Sequence, residues 1–222
     1  MSTANRMSAT RPLRADAERN RARILAAAAE VFADRGLDVS LDDIAAHAGV
    51  GVGTVYRRFP DKDALIDALF EEKIGRVVAL ADHALEIEDP WEGFTTFMRG
   101  MCRMQAADRG FKDALLARDR GAERMAGARE RIAPRAMQLL ARAQEAGAVR
   151  SDLGPFDVPM LNLCVGLIAD RTRDIAPDYW ERVLTIIIDG ISAQGPTSPM
   201  PVESLNREQL TEAMASARRR RS

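Results

Sequence analysis

The chain has 222 residues, 46% of them hydrophobic and 29% charged, with a formal net charge of −1. That is enough apolar material for one domain of ordinary size and a smaller one, and no apolar run approaches the ~20 residues needed to cross a bilayer. The N-terminus through Arg14 is polar and basic and lacks the apolar stretch of a secretory signal, so a cytoplasmic location with no membrane partner is expected.

The near-neutral total hides an uneven distribution. Arg6, Arg11 and Arg14 precede the first acidic residue, and Arg19, Arg21 and Arg23 follow within one helical stretch. Arg57 and Arg58 are the only charges between Val50 and Phe59. Clustering of this kind suits a polyanion, and it equally suits a solvated basic arm. Cys102 and Cys164 each lie in an apolar helical context without a spaced partner cluster, and are read as reduced core thiols.

Nearly the whole chain reads as helix. The first helix is predicted from about Asp16 to Arg35, with Ile24, Leu25, Ala28, Val31 and Phe32 as its apolar stripe and Gly36 as its stop. Ser40 and Asp43 then form a capping pair for a short helix that buries Ile44, Ala45 and Ala48 and ends at Gly49. A third helix is predicted from about Val52 to Arg58. A fourth runs from about Asp61, its cap, to Leu85. Beyond the Asp89-Pro90 break, helices are predicted over 91–107, 110–118, 123–146, 155–170 and 178–193. A linker from Gly195 to Pro199 follows, and Asn206 with Gln209 is placed to cap a terminal helix.

The stretch from Ser40 to Phe59 is the informative one. Two short helices joined by a tight glycine-containing turn are the layout of a helix-turn-helix, and the small side chains of Ala45 and Ala48 permit close approach of the two helices. In that motif the second helix enters the major groove. The chemistry agrees with such docking. Gly51, Val52 and Gly53 make a slim helix start, whose free N–H groups suit a phosphate. Thr54 can bond a phosphate or present its methyl to thymine, and Tyr56 can reach the backbone. Arg57 and Arg58 can neutralise phosphates or read guanine, with Lys62 adding a further phosphate contact.

These residues resemble the TetR family of regulators. The matching positions are Ser40, Ile44-Ala45, Ala48-Gly49-Val50, Gly53-Thr54, Tyr56, Phe59 and Lys62, preceded by Ile24-Leu25, Ala28, Phe32 and Gly36-Leu37. Gly51 departs from the pattern, standing where a Ser or Thr usually caps the recognition helix. The segments 118–121 and 147–152 look like the ligand domain of the SbtR-like group. The resemblance implies an all-α fold with an N-terminal three-helix DNA-binding domain and a C-terminal helical ligand-binding and dimerisation domain. The expected organisation is a basic arm over 1–15, a DNA-binding domain over 16–77, a ligand and dimer domain over 78–194, and a linker and tail over 195–222. The candidate DNA contacts are Ser40, Val52, Gly53, Thr54, Tyr56, Arg57, Arg58 and Lys62. By analogy with the family, the last two long helices pair with their copies, through Leu161, Val165, Ile168, Leu184, Ile187, Ile188 and Ile191.

Phe94, Phe97, Met98, Met101, Met104, Phe111, Met125 and Met137 are candidates for lining a ligand pocket, since thioethers conform to varied apolar shapes. Core packing explains the same spacing. Arg103, Arg118 and Arg171 could anchor an anionic ligand, or lie on solvated faces. The Gly49–Gly53 glycines do not make a dinucleotide loop, because a helix precedes them and Thr54 occupies the third glycine's place. His47 and His83 stand on different helices without ligand spacing, and no Ser, His and acid set is legible, so neither a metal site nor an enzyme is expected. The expected partners are double-stranded DNA, a second copy of the chain and an unidentified small-molecule effector, with no cofactor. The alternative is a helical small-molecule-binding protein, or an enzyme, without operator binding. The Arg218–Arg221 run is expected to be disordered.

Overall fold

A computed structural model describes residues 10–107 and 121–219. The described chain is helical, apart from turns and one isolated bridge between Val149 and Ser192. It divides into two compact units, one through Lys73 and one from Ile74 onward.

The first unit contains α1 (Thr10–Arg35), a 3-10 turn (Gly36–Asp38), α2 (Leu41–Ala48), α3 (Val52–Arg58) and the start of α4 (Lys62–Glu86). α1 begins at Thr10, six residues before the predicted Asp16. Its expected stripe is buried, and it ends where Gly36 turns to φ +72. Ile24, Phe32, Ile44, Leu65 and Ile66 are almost wholly removed from water, each worth about 1.5–3 kcal/mol. α1 packs on α2, and α2 on α3.

The second unit contains the remainder of α4, α5 (Pro90–Ala107), α6 (Gly121–Glu145), α7 (Asp157–Thr172), α8 (Tyr179–Ile191) and α9 (Arg207–Arg219). The helix expected over 110–118 lies outside the described residues. α5 is the hub, packed against α6, α7 and α8. Gly93 allows the close approach of α4 and α5: a Cβ there would stand 2.7 Å from the Ala84 carbonyl oxygen. Arg142 ties α6 to the end of α4, donating to the carbonyls of Leu85 (2.6 Å) and Ile87 (3.1 Å).

Three of the candidate pocket residues are core. Phe94, Phe97 and Met98 pack with Val77, Ala81, Ala84, Leu139, Leu140 and Ala143, and are at most 2% exposed. Met101 and Met104 are partly buried against that cluster, whereas Met137 is exposed on the outer side of α6. Phe111 and the Met125 side chain lie outside the described residues, as does Arg118. Arg103 and Arg171 are solvent-exposed.

Four of the seven expected dimer residues are buried within the protomer. Val165, Leu184 and Ile188 form the chain's own second core with Cys102, Ala169 and Trp180, and Ile191 joins the first. α7 and α8 pack against each other and against α5, and these side chains fill that space. Leu161, Ile168 and Ile187 are half-buried. Of the cysteines, Cys102 is buried, with its Sγ 2.9 Å from Asn162 Oδ1 and its thiol pushed up to about 12 by desolvation. Cys164 is exposed on α7, contrary to the core reading.

The segment after α8 is strapped to the second unit. Arg150 pairs with Asp152 and donates to the Ser198 carbonyl, while the Met200 N–H donates to Asp152. The Ser204 hydroxyl donates to Asp157 at 2.8 Å. Asn206 and Gln209 cap α9 reciprocally, each accepting the other's backbone N–H at 2.9 Å. Contrary to the expected disorder, Arg218 and Arg219 belong to α9; Arg220 and Arg221 lie outside the described residues.

Phe97→Ala should leave a void in the first of these cores and destabilise the second unit by about 3–5 kcal/mol. Both tryptophans, Trp91 and Trp180, belong to that unit, so urea unfolding followed by tryptophan fluorescence reads the loss. The Asp152 carboxyl is held at about 2, chiefly by the Arg150 hydrogen bond. A depressed carboxyl stabilises the fold above its ordinary value and loses that contribution as pH falls through the folded one. The strap should therefore loosen between about pH 4 and pH 2. Amide exchange at Met200, corrected for intrinsic rate, should accelerate over that window, and Asp152→Asn should show fast exchange throughout.

Candidate nucleic-acid interface

The turn between α2 and α3 is built from local signals. Ser40 caps α2 by accepting the Asp43 N–H at 3.1 Å, while Asp43 accepts the Ser40 N–H at 2.9 Å and its hydroxyl at 2.5 Å. Those bonds hold the Asp43 carboxyl below its usual range, the Ser40 hydroxyl contributing most. α2 ends at Gly49, whose φ of +63 favours a residue without a Cβ. Arg23 of α1 then clamps the turn, donating to the carbonyls of Ala48 (2.9 Å) and Gly49 (3.3 Å).

α3 opens at Gly51 without a side-chain cap; the Thr54 N–H bonds the Gly51 carbonyl at 2.8 Å. Val55 is wholly buried, and the Phe59 ring is buried just beyond the helix. At about 100° per residue, Gly53 and Arg57 stand on the far side from Val55. Val52 and Tyr56 flank them on one side, Thr54 and Arg58 on the other. All of these except the half-buried Thr54 are exposed, Tyr56 at 47%.

Several expected contacts are already engaged within the protein. The Asp42 carboxylate faces the Tyr56 hydroxyl and pushes that phenol up, mainly by its charge. Arg58 donates to Glu18 Oε1 of α1 at 3.1 Å. The Lys62 ammonium donates to the carbonyls of Leu37 (2.6 Å) and Val39 (2.9 Å), fastening the start of α4 to the α1–α2 connection. Ser40 is occupied by Asp43. Thus Gly53, Thr54, Tyr56, Arg57 and Arg58 share one outward surface, while Ser40 and Lys62 act on the backbone beside it.

Sequence reasoning overlooked Glu18 and Asp42, and placed Arg23 only in the basic cluster. Nothing in their spacing singles them out, because each acts on a group in another helix. His47 is paired with Glu30 at 2.8 Å, and His83 stands 4.0 Å from Glu86. No cluster of three or more metal-ligating side chains occurs among the described residues, and none of their helices is long and apolar enough to cross a membrane.

Residues 24–69 match the family model for bacterial regulatory proteins of the tetR family, and residues 89–193 match that for the SbtR-like C-terminal domain of transcriptional regulators. The chain is 42% identical to a TetR transcription regulatory protein from Mycobacterium vanbaalenii of known crystal structure. That match covers 82% of this chain and 99% of the other, with a TM-score of 0.63. The chain belongs to the TetR family. A second TetR regulator of known structure, from Streptomyces coelicolor, is 32% identical, with a TM-score of 0.64 over 79% of this chain and 99% of the other. An HTH-type transcriptional regulator of Staphylococcus aureus is 38% identical over 82 residues, a match spanning 36% of this chain and 39% of that relative. This TetR member is thus a transcriptional regulator rather than an enzyme, with an N-terminal helix-turn-helix and a C-terminal helical domain.

Lys62→Met should lower the stability of the first unit by about 1–3 kcal/mol, the worth of hydrogen bonds made by a charged donor. The thermal midpoint of ellipticity checks this. A variant as stable as the wild type would show that the clamp on Leu37 and Val39 contributes nothing.

Proposed function

We propose that this TetR regulator binds a near-palindromic operator as a homodimer, represses transcription there, and releases the DNA when a small-molecule effector occupies its C-terminal domain. The observation that carries the reading is the burial of Val55, which turns Gly53 and Arg57 outward with Thr54, Tyr56 and Arg58 on the flanks. A helix that presents a glycine, a hydroxyl, a phenol and two guanidiniums is narrow at its start and rich in donors further on. Tyr56 and Arg57 are the leading contacts in this reading. Val52 lies at the edge, and Ser40 and Lys62 position the motif.

One short recognition helix reaches few bases, and two-fold pairing doubles the contacts on a palindrome. The surface proposed for pairing is the outward stripe of α7 and α8. Leu167 (46% exposed) and Ile186 (63% exposed) lie there beside Cys164 and Tyr179, in place of the residues that fill the protomer core. The half-buried Leu161, Ile168 and Ile187 border that stripe. We assign DNA binding to 16–77 and effector binding with dimerisation to 78–194. α4 contributes residues to both compact units, so a shift of α4 on effector binding would carry the signal. The coupling is no larger than the effector's differential affinity for the two states.

Gel-shift on the DNA flanking the gene tests the reading. Arg57→Ala should weaken operator binding and reduce the salt slope by about one. Leu167→Glu with Ile186→Glu should yield a monomer by light scattering that no longer retards the operator. A folded double variant that stays dimeric would remove the proposed interface, and wild-type operator affinity in Arg57→Ala would remove the docking surface.

A further inference from the structure

A DNA-contacting helix ordinarily gains affinity from free cations, because each neutralised phosphate releases counterions. α3 keeps few of them free. Of its two guanidiniums, only that of Arg57 has no partner among the described residues. Arg58 is held by Glu18, a residue 40 positions earlier on α1, with both side chains exposed. Tyr56 is faced from the opposite flank by Asp42 of α2. The two acids come from different helices, α1 and α2.

An acid beside a DNA-contacting arginine is unfavourable for affinity alone. The Glu18 contact engages one nitrogen of the guanidinium, Nη2, at 3.1 Å. A guanidinium carries five N–H donors in a rigid fork, so the remainder of the fork can still be directed outward. We propose that Glu18 is a positioning residue that orients Arg58 for a single acceptor in the correctly seated operator, the Glu18–Arg58 pair persisting in that complex. The inference rests on the DNA-binding reading above. On random DNA, Arg58 reaches a phosphate only by swinging away and breaking the pair. In the seated complex the pair stays, and the rotamer freedom of Arg58 has already been given up. An exposed ion pair contributes modestly, so the effect is a few-fold.

The test compares operator and random-sequence duplex by fluorescence anisotropy over a salt series, using wild type, Glu18→Gln, Arg58→Ala and the double variant, each checked for folding by circular dichroism. Glu18→Gln should weaken operator binding about two- to five-fold and tighten random-duplex binding by a similar factor. Its random-duplex salt slope should steepen by about 0.9, one extra phosphate contact. In the Arg58→Ala background, Glu18→Gln should change neither affinity. Equal tightening on both duplexes, or an undiminished effect without Arg58, would overturn the inference and leave a general charge effect. Absence of salt-dependent DNA affinity in the wild type would remove the DNA-binding reading itself, and this inference with it.

Discussion

The burial of one valine orients the outward surface of the first unit. α3 has seven residues, well short of the ~12–15 that an isolated helix needs to be even marginal in water. It exists because Val55 and the following Phe59 are inserted among the packed residues of the unit. The same insertion sets the helix's rotation, since an apolar side chain at one pole leaves only one orientation for the rest. Gly49 in the left-handed region and the Arg23 clamp fix the angle at which α3 departs from α2. Chemistry and stability therefore coincide: what holds α3 in place also decides which side chains face outward.

Around that helix, charge is used for geometry as much as for attraction. Lys62 stabilises two backbone carbonyls, Arg23 two more, and Arg58 a carboxylate. Recognition by such a surface would depend on aimed hydrogen bonds more than on accumulated positive charge. The second unit follows the same logic with apolar groups. α5 supplies Phe94, Phe97 and Met98 to one core and Cys102 to the next, and α8 presents Leu184 and Ile188 inward while Ile186 faces outward.

Much of the local structure was legible beforehand because its causes are local. The Ser40–Asp43 and Asn206–Gln209 caps, the stops at Gly36 and Gly49, and the Asp61 cap of α4 each depend on residues three or four apart. Helix ends accordingly fell close to their expected places, except at α1, which begins at Thr10. The apolar candidates were harder. Phe94 and Met137 both read as pocket linings, yet one is core and the other surface, because a composition rich in Met and Phe states a preference for burial without naming the partner.

The sequence by itself determined the helices, their caps and the ordered string of residues that marks a TetR helix-turn-helix, since all of these act within a few turns of chain. Tertiary structure decided which side of each apolar helix turns inward. On α7 and α8 nearly every side of the helix offers an aliphatic residue, so periodicity admits more than one answer, and packing against α5 selects Val165, Leu184 and Ile188 while leaving Leu167 and Ile186 outside. It also decided what each cation touches. Arg23, Arg58 and Lys62 meet partners 23–40 residues away, and such pairings exist only once the helices have been brought together.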